Sequence, residues 1–284
     1  MDWVEGDCRS RSDMDSVFSQ YNISAVLHFA GLKAVGESVS LPLKYYDHNV
    51  GGFIQMLEAA LRAGVKKFVL SSSATVYANF DGPKIPETAA LQPINPYGRS
   101  KLMCEEVGRD LCRSNPDVSF AAMRYFNPIG AHDCGMIGEA PNDIPTNLMP
   151  YITRVAVGQL EKLTVYGQDY ETKDGTGVRD YIHVVDLARG HVQALNYIND
   201  NLRDHVFNLG TGRGTSVLEL VDLYESKTGV KVPYVIGPRR HGDQASVVAD
   251  PSLAEEKIGF SCRYAPGDAC EHSYNWIKRN PSGY

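Results

Sequence analysis

Two residues suited to acid–base chemistry, Tyr97 and Lys101, lie four positions apart in the segment NPYGRSK, residues 95–101. In a helix this spacing places both side chains on one face, with Cβ atoms about 5–6 Å apart. A free tyrosine has a pKa of about 10, and a neighbouring ammonium group favours its ionised form. The pair therefore indicates a phenol that accepts a proton near neutral pH. Because Tyr-x-x-x-Lys is common in helices, this interpretation needs support from the rest of the chain.

The composition is that of an ordinary globular protein. The 284 residues are 43% apolar and 22% charged, enough for one large α/β domain or two smaller lobes. A net charge of −6 argues against nucleic acid or an anionic membrane surface as a partner. We find no apolar run of membrane-spanning length and no signal peptide in MDWVEGDCRSR. The six cysteines lack CxxC or histidine spacing, so we expect a cytoplasmic protein with reduced thiols and no metal.

The first two-fifths of the chain alternate between strand and helix patterns. The short apolar run Ala25–Gly31 predicts a strand buried on both faces, and Lys67–Leu70 and Phe120–Phe126 predict two more. A long helical pattern follows Pro42 and is closed by Gly64, and a second helix carries the tyrosine and lysine. This order predicts a parallel sheet with helices on both faces.

Beyond about Pro128, glycine and proline become frequent and the predicted elements become short. We therefore expect a smaller lobe packed against the first, with domains at residues 1–128 and 129–284 and some later segments returning to the first domain. Its predicted strands are Leu163–Tyr166, Val206–Leu209 and Val232–Ile236, and its predicted helices are Leu148–Val157, Val184–Ile198 and Val217–Thr228.

A dinucleotide-binding sheet normally opens with a strand, a glycine-rich turn and a helix whose N-terminus holds the pyrophosphate. The sequence shows no such turn near its start. The glycine run at residues 210–214 lies far downstream with a different spacing, and we interpret it as a turn. We therefore expect the chain to begin inside a later strand–helix unit.

Eight segments occur in an order that resembles the UDP-glucose 4-epimerases of the extended short-chain dehydrogenase/reductase family. The similarity runs essentially from Glu5 to Trp276. The segments are Phe29–Lys33, Tyr45-Tyr46-x-x-Asn49, SSSATVY (71–77), Tyr97-x-x-x-Lys101, RYFNP (124–128), NLMPY (147–151), GTGVRDYIHV (175–184) and RRHGD (239–243). The resemblance implies a Rossmann-like α/β domain that lacks its first strand, turn and helix, roughly fifty residues, together with a smaller α/β lobe that binds the nucleotide sugar.

The resemblance also implies a reaction, the interconversion of UDP-glucose and UDP-galactose in galactose metabolism by transient oxidation at C4 with bound NAD. Tyr97 would accept the proton of the C4 hydroxyl while hydride passes to the nicotinamide. Lys101 would hold the phenolate and contact the nicotinamide ribose. Ser73, at the carboxyl end of a parallel strand, would hydrogen-bond the same sugar hydroxyl.

The same resemblance assigns binding residues for the cofactor beyond these three. Asp7 and Cys8 match the adenine position, Lys33 would neutralise phosphate charge, and Asn49 would contact the cofactor loop. The further cofactor residues implied are Phe29, Ala30, Gly31, Leu32 and Phe126.

For the substrate, the resemblance implies two guanidinium groups on the diphosphate, Arg179 and Arg240, with Asp243 on the uridine ribose. Tyr166 would form an aromatic wall beside the uracil, while Arg239 is expected to be a surface neighbour. The other implied substrate residues, besides Ser73 and Tyr97, are Asn127, Asn147, Leu148, Thr164, Val165 and Val247.

Two finer expectations concern specificity and assembly. In the family that the sequence resembles, the position matching Val247 lines the space beside the C2 substituent of the sugar, and the small side chain here predicts acceptance of UDP-N-acetylhexosamines as well. The family forms homodimers through two long helices, which correspond here to about Leu41–Ala63 and Tyr97–Ser114.

Two alternatives remain open. A sister enzyme of the extended family, such as a dehydratase, needs an acid/base pair just beyond the strand serine, but Ser73 is followed by Ala-Thr-Val. A non-catalytic remnant or partner subunit is the other alternative, because a missing first strand would expose apolar surface and an open sheet edge. On that reading we expect the chain to be unstable alone.

Overall fold

The structure, a computed structural model, describes residues 2–141, 145–240 and 242–283, which divide into two compact units. The first unit contains the chain up to Asn79 together with Glu87–Tyr125 and His191–Asn208. The second contains Phe80–Pro86, Phe126–Gly190 and the chain from Leu209 onward. Among the described residues, none of the helices combines the length and apolar character needed to cross a membrane.

The described helices and strands are numbered here in chain order. The helices are α1 (Arg11–Gln20), α2 (Val35–Ser40), α3 (Pro42–Tyr45), α4 (Gly52–Arg62), α5 (Pro96–Ser114), α6 (Leu148–Ala156), α7 (Val184–Asp200), α8 (Val217–Thr228), α9 (Ser252–Ile258) and α10 (Pro266–Arg279). The strands are β1 (Val26–His28), β2 (Lys67–Ser71), β3 (Ser119–Tyr125), β4 (Asn127–Ile129), β5 (Leu163–Tyr166), β6 (Val178–Arg179), β7 (Tyr181–His183), β8 (Arg203–Leu209), β9 (Thr215–Ser216), β10 (Tyr234–Gly237) and β11 (Ser246–Val247).

The first unit is built on a four-stranded sheet with the order β1-β2-β3-β8. β1 runs parallel to β2, with Val26 opposite Phe68, and β2 runs parallel to β3, with Phe68 opposite Phe120. Successive residues of a strand point to opposite faces, and four consecutive residues of β2 are buried, so both faces of this strand are covered. The predicted α/β fold with a parallel sheet is confirmed.

The segment predicted as one long helix after Pro42 is interrupted. α3 and α4 are joined by a π-helical turn, Tyr46–Gly51, in which the helix carries one extra residue per turn. The predicted end is confirmed, because Gly64 has φ +82° and its neighbour Val65 donates its amide to the Ala60 carbonyl at 2.9 Å. Glycine adopts this left-handed conformation without a Cβ clash.

α5 begins where the sequence predicts, and one contact at its N-terminus and one in its second half fix its position. Asn95 caps its N-terminus by accepting a hydrogen bond from the Gly98 amide at 2.8 Å, and Pro96 occupies the first turn. About three turns later, Gly108 faces the ring of Phe120 on β3 so closely that a Cβ would lie 2.5 Å from it. The helix is thus held directly against the sheet.

The second unit consists of small sheets around a separate core. β5 pairs in parallel with β10, β4 pairs in parallel with β7, and β6 lies between β9 and β11. The core is formed mainly by α6, α8 and α10 with these strands; it includes Met149, Ile152, Leu163, Val165, Tyr181, Leu220, Tyr224 and Cys270. The helices α1, α2, α9 and α10 were not predicted from the sequence.

One short segment of the first predicted domain, residues 1–128, belongs to the second unit. Phe80–Pro86 belongs to the second unit, where the Ile85 amide donates to Val248 at 2.8 Å and the Ile85 carbonyl accepts from the Asp250 amide at 3.0 Å. The sequence does not predict this, because two backbone hydrogen bonds to residues far along the chain leave no local pattern.

Candidate active site

The candidate site includes three consecutive serines at the carboxyl end of β2, of which Ser71 is the last residue of the strand. Ser71, Ser72 and Ser73 are all buried. Beyond them the chain turns, and the Ser73 hydroxyl accepts hydrogen bonds from the Thr75 amide at 3.2 Å and the Thr75 hydroxyl at 3.0 Å. The segment therefore ends at the carboxyl end of a parallel strand, where such sheets bind their ligands.

Tyr97 and Lys101 project from α5 toward these serines. Lys101 is almost fully buried, and its Nζ donates to the Ser71 carbonyl at 2.8 Å. Tyr97 is also buried, and the Ser73 side chain is near enough to lower the pKa of its phenol against the effect of burial. The structure thus brings together the three residues that the sequence assigns to catalysis, and the shared helical face of Tyr97 and Lys101 is the geometric reason.

The surroundings of Tyr97 shift its pKa in opposing directions. Burial raises its pKa well above the ordinary value; the ring of Tyr125 adds to this, and the side chain of Ser73 opposes it. The Lys101 ammonium donates to the Ser71 carbonyl, and burial lowers its own pKa. Burial thus favours the neutral phenol of Tyr97, and a phenolate held by Lys101 stays a prediction.

A strand-end loop lies beside this cluster and is held by Asn49. Residues 29–33 follow β1, and the buried Asn49 accepts from the Leu32 amide at 2.7 Å and donates to the Leu32 carbonyl at 3.1 Å. The same amide group donates to Ser100 at 2.9 Å, next to Lys101 on α5. A Cβ on Gly31 would lie 3.0 Å from Asn49 Oδ1, so the loop passes directly over this side chain.

This arrangement fits a dinucleotide cofactor. Phe29, Ala30, Gly31 and Lys33 are exposed at the carboxyl end of β1, and the position of a Gly31 Cβ would be 3.7 Å from the Lys101 ammonium. An ammonium group, a phenol and exposed backbone around a glycine are suited to ribose hydroxyls and phosphates. The residues that could hold NAD in this unit are therefore Lys101, Tyr97 and the loop 29–33.

Asp7 and Cys8 lie at the start of the first unit, before α1. The Asp7 carboxylate accepts hydrogen bonds from Nε and Nη2 of Arg9. The remaining nitrogen of Arg9, Nη1, donates to Asp47 at 2.7 Å. The hydrogen bonds from Arg9 lower the pKa of Asp7 to about 2, so this carboxylate is ionised. Cys8 is half-buried against Gly52 of α4, and burial raises its pKa. The expected adenine contacts of Asp7 and Cys8 stay predictions.

In the second unit, Asp180 organises several residues predicted to bind substrate. Its backbone carbonyl accepts from the Asn127 amide at 2.9 Å, and its amide donates to the Val247 carbonyl at 3.1 Å. Its buried carboxylate accepts from Thr211 and Gly212 in the glycine-rich turn, at 2.8 and 2.9 Å. Burial raises the pKa of Asp180, while these hydrogen bonds oppose that shift. The glycine run is thus a turn wrapped around a buried carboxylate.

Arg179 lies next to this residue on β6 and opposite Val247 on β11. Its Nη1 donates to the Val178 and Gln244 carbonyls at 2.8 and 2.9 Å, and its Nη2 is 3.8 Å from Asp243. The backbone contacts fix the direction of the guanidinium group. The two predicted phosphate and ribose residues, Arg179 and Asp243, are therefore neighbours.

The remaining predicted substrate residues fall in two further places. Tyr166 ends β5 with an exposed ring, and the Arg240 guanidinium stacks over it at 4.0 Å, while Thr164 and Val165 precede it on the strand. Asn147 is the N-cap residue of α6 and Leu148 its first residue. Arg239 donates to Asp169 at 2.6 Å and lies over the ring of Tyr170, and its assignment as a surface neighbour stays a prediction.

Phe126, predicted to border the nicotinamide, is buried in the second unit. Its amide donates to the Leu209 carbonyl at 3.1 Å. The structure therefore describes its backbone anchoring, and its contact with a cofactor stays a prediction. No group of three or more histidine, cysteine or acidic side chains suited to a metal ion occurs among the residues described.

Sequence reasoning overlooked three residues around these sites. Asp180 is a charged residue inside the strand-rich segment VRDYIHV, and a charge in an apolar run is the signal that could have revealed it. Tyr125 accepts a hydrogen bond from Ser71 at 2.9 Å. Glu105 lies four positions beyond Lys101, so the helical spacing that selected Tyr97 and Lys101 also includes it.

A parallel sheet with buried serine, tyrosine and lysine side chains beside a glycine-containing strand-end loop is typical of an α/β enzyme that uses a nucleotide cofactor. Comparison with known proteins agrees with this class. Residues 1–210 match the NAD dependent epimerase/dehydratase family. The UDP-glucose 4-epimerase of Bacillus subtilis is 51% identical over 282 residues, which cover 99% of this chain and 83% of that protein.

Solved structures give the same result. A UDP-glucose 4-epimerase from Stenotrophomonas maltophila with bound NAD and formylated UDP-arabinopyranose is 48% identical, with a TM-score of 0.95, covering 98% of this chain and 83% of that one. The UDP-glucose 4-epimerase from Bifidobacterium longum in complex with NAD+ and UDP is also 48% identical, with a TM-score of 0.94 over 99% of this chain and 84% of that one. The chain belongs to the NAD dependent epimerase/dehydratase family. The resemblance predicted from the sequence is confirmed, as is the prediction of an NAD-dependent enzyme with a Rossmann-like fold.

Proposed function

We propose that this protein interconverts UDP-glucose and UDP-galactose by transient oxidation at C4 of the hexose, and that it serves galactose metabolism in the cytoplasm. The observation that carries the proposal is the buried cluster of Ser73, Tyr97 and Lys101 at the carboxyl end of β2. The similarity to UDP-glucose 4-epimerases over nearly the whole chain supports this substrate class. The six free cysteines support a reducing compartment.

The residues of the first unit would carry the proton chemistry. Bound NAD would supply the acceptor and donor of hydride. Tyr97, as the phenolate, would take the proton from the C4 hydroxyl, and as the neutral phenol favoured by burial it would return a proton to the 4-keto oxygen. Ser73 would hold the same oxygen through its hydroxyl. Lys101 would orient the nicotinamide ribose and supply the positive charge near the phenolate.

The binding roles follow from position in each unit. Asn49 would hold the loop 29–33 in the shape that the cofactor needs, with Lys33 on phosphate, Asp7 and Cys8 at the adenine and Phe126 beside the nicotinamide. Arg179 and Arg240 would bind the diphosphate, and Asp243 and Tyr166 the uridine. The supporting residues in this role are Asn127, Asn147, Leu148, Thr164 and Val165.

Replacing Tyr97 with phenylalanine tests the chemical step. We expect kcat for conversion of UDP-glucose to UDP-galactose to fall by about 10²- to 10⁴-fold, because the proton acceptor is removed while the ring remains. The assay measures UDP-galactose formation together with the nicotinamide content of the purified protein. The control is Tyr21→Phe, which removes a phenol from an exposed ring in the same unit.

An unchanged kcat in Tyr97→Phe would refute the role of this tyrosine. A wild-type protein that binds NAD and UDP but forms no UDP-galactose would instead favour the non-catalytic alternative. Formation of a dehydrated or decarboxylated sugar would favour a sister enzyme.

We also propose that the protein accepts UDP-N-acetylhexosamines, because the side chain of Val247 is small and is paired with Arg179 in the strand register. We expect Val247→Tyr to lower kcat/KM for UDP-N-acetylglucosamine at least about tenfold more than kcat/KM for UDP-glucose, since an aromatic ring would fill the space beside C2. Val247→Ala is the matched control and should retain both activities. Wild-type conversion of UDP-glucose without detectable conversion of the N-acetylated sugar would show the proposal to be wrong.

A further inference from the structure

A buried ion pair between Glu105 of α5 and Arg124 of β3 contacts residues 71–73, which are called here the serine segment. Arg124 and Glu105 are among the least exposed charged residues described, at 2% and 1%. The Arg124 Nε donates to Glu105 at 3.0 Å and its Nη2 donates to the second carboxylate oxygen at 2.6 Å. This two-pronged geometry fixes the carboxylate in direction as well as distance.

Arg124 is itself held on its other side. Its Nη1 donates to the Tyr77 hydroxyl at 3.1 Å and to the Glu87 carbonyl at 3.2 Å. The Tyr77 hydroxyl in turn donates to the side-chain oxygen of Asn208 on β8 at 2.6 Å. The guanidinium group therefore has contacts on several elements of the first unit, and it cannot turn without breaking them.

Glu105 also accepts a hydrogen bond from the Ser72 hydroxyl at 2.5 Å. α5 thus contacts the serine segment through two residues one helical turn apart, because Lys101 donates to the Ser71 carbonyl. Tyr97, Lys101 and Glu105 are spaced by four residues and lie on the same helical face. The next residue after these two fixed serines is Ser73.

A buried ion pair is not required for stability, since replacing such a pair with apolar side chains is often neutral or stabilising. Its directional contacts with Ser72 instead restrict the position of the strand end. We propose that Glu105, oriented by Arg124, is a positioning residue that sets Ser73 against Tyr97 by holding the Ser72 hydroxyl. This inference rests on the proposed function and adds residues outside the reacting cluster to it.

The variant Ser72→Ala tests the proposal, because it removes the contact with Glu105 and leaves the ion pair intact. We expect kcat for UDP-glucose to fall by about 10- to 100-fold, since small displacements of a reacting group have effects of this size, with KM and bound NAD changed less than about twofold. Ser38→Ala is the matched control. Ser38 is equally buried in the same unit and donates its hydroxyl to the Val35 carbonyl at 2.6 Å.

Hydrogen exchange provides a readout that does not depend on turnover. In the absence of substrate, the peptide that covers residues 71–77 should exchange at least about tenfold faster in Ser72→Ala, because the Thr75 amide is bonded to Ser73. In Ser38→Ala this peptide should exchange as in the wild type. If the wild-type protein shows no epimerisation, the proposed function fails while exchange still tests the positioning role. Unchanged kcat and unchanged exchange in Ser72→Ala would overturn the proposal.

Discussion

His28 is a buried residue whose protonation makes the stability of the fold depend on pH. It ends β1, its ring packs 5.1 Å from that of Phe53, and it is buried. Burial and, to a smaller extent, the nearby Lys101 ammonium lower its pKa from 6.5 to about 4. The folded protein therefore keeps His28 neutral at pH values where an unfolded chain protonates it.

From this shift we expect stability to be lost as the pH falls from about 6.5 to about 4. The unfolded state binds the proton more tightly in that range, so the free energy of unfolding decreases by roughly 3 kcal/mol through this residue. Urea unfolding at several pH values would measure it. His28→Gln should flatten the acid limb by that amount, whereas His132→Gln, at an exposed position, should leave it unchanged. An equally steep acid limb in His28→Gln would contradict this assignment.

At the scale of residues, the sequence located the reacting side chains but not their electrostatics. Tyr97 and Lys101 are predicted from their spacing and Ser73 from the family resemblance, and the structure brings the three together. The state of the phenol depends on desolvation and on where the Lys101 ammonium points. Neither quantity is encoded locally, because both arise from packing between α5 and β2.

At the scale of elements, the contact between α5 and β3 depends on the missing side chain of Gly108. A Cβ there would lie within 2.6 Å of three atoms of the Phe120 ring, which is itself buried. Gly36 in α2 is the opposite case, since a Cβ there would meet nothing within 4 Å. The two helical glycines differ in surroundings rather than in conformation.

We therefore expect Gly108→Ala to lower the free energy of unfolding by about 1–3 kcal/mol, because overpacking outweighs the better helix propensity of alanine. The paired change Gly36→Ala should leave stability unchanged or raise it by up to about 1 kcal/mol. Urea titration followed by circular dichroism distinguishes the two. Equal effects of both substitutions would show that α5 does not pack on Phe120 as described.

The positions of helices and strands agree with the sequence-based predictions where the hydrophobic periodicity and the capping residues indicate the same boundaries. The strand expected at Lys67–Leu70 is Lys67–Ser71, and the helix expected at Val217–Thr228 has those bounds. The strand expected at Ala25–Gly31 is only Val26–His28, because the residues after His28 leave the ladder to form the loop held by Asn49. α1 and α10 escaped prediction, since their apolar residues are few and are interspersed with charged or polar ones.

At the scale of the whole molecule, we propose that two copies associate through the outer faces of the first unit, as the family resemblance implies. Several large apolar side chains are exposed there, with Leu43 of α3 at 80%. Val39 of α2 and Met103 of α5 are also exposed. The two short helices α2 and α3 both pack against α5. Exposed apolar groups on neighbouring helices are suited to an interface between copies.

Leu43→Glu should therefore convert a dimer into a monomer in analytical ultracentrifugation, because a carboxylate would be buried against apolar groups of the second copy. Leu202→Glu is the control, since Leu202 is an exposed residue of the loop before β8 and belongs to none of these helices. Circular dichroism would verify that both variants remain folded. A wild-type protein that sediments as a monomer at all concentrations would refute the interface.

The π-helical turn at Tyr46–Gly51 has a consequence for how this polypeptide tolerates changes in length. Each residue advances an ordinary helix by about 100°, so the surplus residue decides which way Asn49 faces relative to the residues before it. Removing a single amino acid between Tyr45 and Gly52 would let the segment relax into an uninterrupted helix and swing this amide away from Leu32. Replacing Tyr46–Gly51 with a segment one residue shorter would therefore separate the loop 29–33 from Asn49, even if every contact residue were kept.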